Sequence, residues 1–210
     1  MMGWFGLPST AEPPPPEILT IPLFPLNTVL FPDSLLPLKI FEQRYLDMAA
    51  SCMKDSIPFG ICLIAHGEET GQPAQTHPVG TLAHISQWEM EQLGILMITA
   101  RGGKRFHILE SKTRGLLLEA RVELLQEAET STFPHERKRL LPLLRRIVAD
   151  LGPTRIAEPH RFDDATWVGN RITEILPIQN LAKQKLLELD DPIARLEILE
   201  KYLDQRQLLG

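Results

Sequence analysis

Between Ile18 and about Glu127 the apolar residues fall in short runs that either alternate with polar ones or form brief unbroken blocks. That pattern suits strands better than helices. Residues 18–23 and 34–40 read as strands bounded by prolines, and 59–65 (FGICLIA) as a short buried strand between Pro58 and Gly67. Residues 80–88 roughly alternate. Next come 95–100 and 105–109, separated by Arg101, Gly102, Gly103 and Lys104. A Gly-Gly centre between two apolar strands predicts a hairpin, because tight turns matching strand twist need positive φ. Residues 116–125 supply a last strand. One helix interrupts the series, over about 42–54, with Tyr45, Leu46, Met48, Ala49 and Cys52 on its apolar side. Six or seven strands with one inserted helix predict a closed or nearly closed barrel, which removes exposed edges.

After Glu127 the period changes. Residues 134–151 place Leu140, Leu144, Ile147, Val148 and Leu151 on one helical face, and Gly152-Pro153 is the stop. Pro142 inside this span predicts either a kink or the true first turn. Asp163 or Asp164 is set to cap a helix to Leu176 that buries Trp167 or Val168, Ile172 and Ile175, with Pro177 ending it. A shorter helix over about 179–188 follows. Asp190-Asp191-Pro192 then has the composition of a helix start, a carboxylate cap followed by proline at the first position. Ile193, Leu196, Leu199 and Leu203 recur at helical spacing behind it. The fold class is therefore α+β: an arm over 1–17, a barrel over 18–127 and a bundle of about four helices over 128–210. The arm carries Trp4, Phe5 and the run Pro13 to Pro16, whose composition predicts a disordered, polyproline-II-like lead.

Composition narrows the chemistry. With 43% hydrophobic and 23% charged residues the chain can bury a core, and its formal charge of −5 disfavours a nucleic-acid protein. The acidic excess lies before residue 128; the remainder is balanced. Two cysteines, Cys52 and Cys62, read as small apolar fillers. They are too few for a disulfide framework or a four-ligand zinc site. Apolar runs are too short for a membrane span, and the N-terminus lacks the layout of a secretory signal. The expectation is a cytoplasmic protein.

Catalytic motifs are fragmentary. Ser51 and Lys54 have S-x-x-K spacing, but near a helix C-terminus and without the companion motifs. His135-Glu136 begins like a zinc motif, yet Arg139 stands where the second histidine belongs; Gly102-Gly103-Lys104 is followed by Arg105 where a magnesium-binding hydroxyl is needed. His84 and His107 read as barrel residues. Arg101, Lys104 and Arg105, and the stripe Arg137, Lys138, Arg139, Arg145, Arg146, read as solvated faces. No catalytic residue, metal or cofactor is expected.

The stretch IPLFPLNTVLFPDSLLPLKIFEQRY, residues 21–45, resembles the opening of the Lon protease N-terminal domain, especially its free-standing versions. The similarity continues through Phe59-Gly60, the strand start at Val79-Gly80-Thr81, Gly103 to Phe106, Trp167-Val168 to Leu176-Pro177, Lys185 to Leu187 and Arg195-Leu196. Gln43 stands where proline is usual, and Asp33-Ser34 replaces a glycine-rich turn. The resemblance implies a PUA-like β-barrel followed by a helical bundle. It also implies a non-catalytic module that holds a polypeptide or protein partner, with no length left in the chain for the ATPase and protease domains. Pro25, Phe31, Pro32, Pro37, Phe41, Glu42, Arg44, Tyr45, Gly60, Gly80, Gly103, Arg105 and Phe106 carry the motif and are expected to be scaffold. Pro22, Pro25, Pro32 and Pro37 are expected to cut the chain into short pieces that turn barrel corners, while Phe24, Leu26, Phe31 and Leu38 fill or cover the interior. The substrate-binding residues are left unassigned and a homo-oligomer is left open. The alternatives are RNA or nucleotide binding through Arg101, Lys104 and Arg105, and small-molecule sensing at the barrel–bundle seam.

Overall fold

A computed structural model describes residues 15–126 and 131–209. The arm with Trp4 and Phe5, and the expected junction at 127/128, lie outside the described residues. Within them run β1 (Ile18–Leu26), β2 (Leu35–Ile40), α1 (Gln43–Asp55), β3 (Phe59–His66), β4 (Gln75–Thr76), β5 (Val79–Gln92), β6 (Ile95–Arg114) and β7 (Leu117–Leu124). A 3₁₀ turn (His135–Arg137) leads to α2 (Leu140–Leu151), α3 (Ala165–Ile175), α4 (Asn180–Glu188) and α5 (Pro192–Gln205).

The sheet closes on itself. Its order β1-β7-β6-β5-β3 returns to β1 through a parallel β1–β3 pairing, Leu23 opposite Gly60 to Leu26 opposite Leu63. The ring interior holds Ile21, Leu23, Cys62, Leu82, Phe106, Ala120, Val122 and Leu124. Phe106 is fully buried there, and it fits only because two walls lack side chains. A Cβ on Gly60 would stand 2.7 Å from the tip of the Phe106 ring, and one on Gly80 2.6 Å from the same atom. A second core lies between α1 and the sheet, with Phe24, Tyr45, Met48, Cys52, Phe59, Leu96 and Ile98. The four C-terminal helices pack round a third, with Leu140, Leu144, Val168, Ile172, Leu196, Leu199 and Leu203.

Four expectations need correction. The Gly102-Gly103 hairpin does not exist: β6 runs through both glycines as one 20-residue strand. The turn lies earlier, at Leu93-Gly94, where Gly94 has φ of 82° and β5 extends to Gln92. Gly102 instead allows backbone to approach. Asp33 N donates to Gly102 O and Gly102 N to Ser34 O, both at 2.9 Å, and a Cβ here would sit 2.1 Å from Phe31 O. Seven strands are present among the described residues, but the seventh is the short β4 rather than a second piece of β6. Third, β1 is not broken at Pro22 or Pro25, nor β2 at Pro37. Alternate residues turn their amides to opposite edges, and Glu17 O accepts from Leu124 N, so odd-numbered residues of β1 face β7. Pro22 therefore turns its nitrogen towards the edge that β3 joins only at Leu23, and Pro25 towards β7 beyond its last partner. Neither proline removes a ladder bond. Fourth, the helix expected from 134 begins at Leu140, so Pro142 sits in its first turn, as one of the two expectations had it.

The capping signals are realised. Asp164 accepts from Thr166 N at 2.9 Å, and both Trp167 and Val168 are buried. Asp191 accepts from Ile193 N at 2.8 Å, with Pro192 in the first helical position.

Replacing Gly102 with alanine is expected to destabilise the fold by about 3 kcal/mol, since backbone must move. Gly103→Ala meets the end of the His84 side chain at 3.3 Å and Leu82 Cβ at an ordinary 3.5 Å, and is expected to cost under about 1 kcal/mol. Urea denaturation of the two variants measures both.

Candidate functional site

Nine of the thirteen expected scaffold residues assemble into three groups. In the first, Gly60, Gly80 and Phe106 fill the ring. In the second, the Tyr45 ring stacks on Phe24 with centroids 4.0 Å apart, and Arg44 lies over Tyr45 at 4.5 Å. Arg44 also donates to Leu116 O at 2.8 Å and pairs with Glu42 at 3.0 Å, which ties α1 to the β6–β7 hairpin. The third group is the seam between barrel and helices. Arg105, with a side chain 3% exposed, donates to Leu187 O at 2.7 Å and pairs with Asp190 at 3.1 Å. Phe31 packs there with Leu63, Val79 and Leu187, and Pro32 O accepts from Arg171 at 2.7 Å. Pro25 is buried in β1; Pro37 and Phe41 are exposed; Gly103 lies beside His84.

Helix residues that sequence reasoning passed over complete the seam. Arg171 on α3 is fully buried, donates to Ser34 Oγ at 2.7 Å and pairs with Glu174 at 3.0 Å. Gln184 on α4 is equally buried and donates to Val79 O at 2.9 Å. Buried polar groups in helices give no sequence signal apart from their neighbours, which is why periodicity missed them.

Most of the basic residues are engaged, while Lys138 and Arg146 are exposed. Arg101 lies 3.6 Å from Asp33 and Lys104 3.3 Å from Glu17. Arg137 pairs with Glu197 and Glu200, Arg139 with Glu200 and Asp204, and Arg145 covers the Phe162 ring at 4.0 Å. This arrangement weighs against a phosphate-binding face. His84 and His107 are exposed on the outside of the barrel. Ser51 and Lys54 are exposed on α1. Ser51 lines a groove of about 660 Å³ between α1, β1 and the β6–β7 hairpin. Among the charged residues lining that groove, Arg44 is balanced by Glu42, and Arg114 lies 3.5 Å from Glu119.

A different surface stands out by its lack of polarity. Trp88 lies opposite Ile98 and Met90 opposite Leu96 in the β5–β6 ladder, so both share a face with residues buried beneath α1. Yet Trp88 is 61% and Met90 54% exposed, and Leu93 at the turn is fully exposed. A register shift between Ile85 and Gln87 turns the even-numbered residues after it to the side that Ile85 faces before it. At the base of this face a cavity of about 360 Å³ is lined by Cys52, Met53, Ser56, Ile57, His84, Ile85, Ser86 and Trp88. Ile57 is itself 46% exposed. Trp88 and Met90 are two residues apart in an alternating strand, a spacing that ordinarily marks the core, so their sequence gives no hint of exposure.

A closed five-stranded ring joined to a four-helix tail defines an α+β domain of the Lon N-terminal type. The chain belongs to the family of the ATP-dependent protease La (LON) substrate-binding domain, whose model matches residues 20–205. It is 27% identical over 200 residues to Lon protease 2 of Herpetosiphon aurantiacus, covering 89% of this chain and 24% of that protein. To Lon protease 1 of Bdellovibrio bacteriovorus it is 28% identical over 203 residues, covering 90% and 24%. It thus spans about a quarter of these relatives, within a family of non-catalytic domains. The crystal structure of the Lon N-terminal domain protein from Xanthomonas campestris superposes with a TM-score of 0.73 at 31% identity, covering 88% of this chain and 98% of that one. The N-terminal domain of Mycobacterium avium complex Lon protease shares the fold, with a TM-score of 0.63 at 20% identity over 89% and 98% of the two chains. Among the described residues no helix is long and apolar enough to cross a membrane.

Truncating Arg171 to methionine strips Pro32 O and Ser34 of their donor and strands Glu174. It is expected to cost about 3 kcal/mol in thermal unfolding. Arg101→Ala breaks an exposed pair and is expected to cost no more than about 0.5 kcal/mol. Burial pushes the Cys62 thiol up to about 12 and, with help from Asp55, the Cys52 thiol up to about 11. Folded thiols therefore keep protons that unfolded ones release near pH 8.5, and their contribution to stability is lost as pH rises from about 9 to 12. Iodoacetamide at pH 8 is expected to leave both untouched in the folded chain and to label both in urea.

Proposed function

We infer that this domain is a cytoplasmic recognition module that holds a polypeptide partner by its exposed apolar segments and performs no chemistry on it. The barrel is taken as 18–127 and the helical lobe as 128–210, with the contact made by the barrel. The observation that carries the reading is the uncovered face of Trp88 and Met90 beside the cavity at Ile57, with Leu93 exposed at the turn beyond it. Large apolar side chains clustered on one surface mark contact sites, and a Trp that is already ordered contributes area at low entropic cost. The family's description as a substrate-binding domain supports the same assignment. The expected scaffold residues are then the frame that presents this face, and none of them is needed to touch the partner.

The test is fluorescence anisotropy with a carboxymethylated, permanently unfolded protein as probe. The double variant Trp88→Ser, Met90→Ser is expected to weaken binding at least about tenfold, with folding intact by circular dichroism. Full binding by that variant would remove the assignment.

A further inference from the structure

We propose that the open edge of β5, from His84 onward, accepts an extended polypeptide segment as an added strand, apolar at alternate positions and carrying Lys or Arg beside Glu89. This rests on the polypeptide-binding reading above and supplies its mode and its selectivity.

β3 pairs with β5 only as far as Ala83, opposite Phe59. Beyond that point β5 has β6 on one side and, among the described residues, no strand on the other. Unpaired amides and carbonyls of this kind are a template for another strand, which folded proteins blunt with proline, lysine or bulges; here the register shifts at Ile85/Gln87 and Met90/Gln92 leave the stretch from Gln87 to Met90 regular between them. The other edge of the same three-stranded region is treated in that way: β2 carries Pro37 and Lys39. From 79 to 92 β5 contains no proline, lysine or arginine. A strand laid along this edge would run past the cavity at Ile57 and Ile85, and its alternate side chains would fall on the face of Trp88. Backbone bonds would supply affinity and the cavity a side-chain pocket.

Charge selects the occupant. Glu89 is exposed, and the cation in its cross-strand row, Lys39, stands two strands away beyond Met97, so the side towards the open edge carries only the acid. A second copy docked edge to edge about a two-fold axis would bring acid towards acid. A partner strand with Lys or Arg at the facing position turns the same residue into an attractive cross-strand pair.

Two short synthetic peptides, alternating valine and threonine around a single central lysine or a single central glutamate, provide the probe. The lysine peptide is expected to bind about threefold to fivefold more tightly, and Glu89→Lys to reverse that order. N-methylating the amides of every second residue removes the donors from one peptide edge. One of the two methylated registers is expected to lose at least about tenfold, the other to bind like the parent. Equal binding of both registers overturns strand addition while leaving the polypeptide-binding reading in place. An unchanged charge preference in Glu89→Lys overturns the selectivity. A parent peptide that fails to bind folded protein, together with full binding of unfolded protein by the Trp88, Met90 double variant, overturns both.

Discussion

The Phe106 ring, lodged between Gly60 and Gly80, is the constraint on which the barrel turns. A ring of only five strands has little room inside, and a β-carbon at either glycine would press on the aromatic tip. The same space is bounded by Leu23 and Cys62, so the residues that meet there come from β1, β3, β5 and β6 at once. Closure follows from this filling. β1 can leave β7 and join β3 at Leu23 because Gly60, opposite it, brings no side chain into the ring. With the interior full, the large side chains of α1 find their core on the other side of the sheet, where Tyr45 stacks on Phe24.

The helical lobe is attached by a different principle. Apolar packing at the seam is modest, centred on Phe31, Val79 and Leu187. Around it, long polar side chains reach across to backbone carbonyls: Arg171 to Pro32, Gln184 to Val79, Arg105 to Leu187 and Asn180 to Asn27. A guanidinium donating to a carbonyl in a buried site demands a defined position, since leaving either group alone costs more than the bond contributes. The seam is therefore specific in register. It also consumes the cations that a nucleic-acid-binding surface would present, Arg105 above all.

Much of this was legible from residues alone, for reasons that can be named. Asp164 and Asp191-Pro192 announce helix starts through local chemistry that needs no tertiary context. Residues 59–65 read as a buried strand because both faces of β3 are covered. Gly102-Gly103 misled because glycine has two uses, turning a chain and admitting a neighbour, and only the position of Phe31 and Ser34 decides between them. The β5 surface was illegible for a related reason. Alternation reports which residues share a face, while exposure depends on where α1 stops: its last turn ends at Asp55, short of the half of β5 that holds Trp88.

The prolines that mark the opening of the chain belong to the same account of edges. Pro22 and Pro25 stand where β1 exchanges one partner for another, and Pro37 faces outward from β2, so none interrupts a ladder. Two of the three occupy transitions inside a closed ring, and the third seals an edge the ring leaves over. The open edge of β5 receives no such proline, although the strand is long and shifted in register beside the cavity at Ile57. A sequence that places proline on the outer edge of β2 and none on this one leaves a hydrogen-bonding edge open. The physical cost of that choice is exposure of Trp88 and Met90 to water, a cost that a bound strand would offset by covering them.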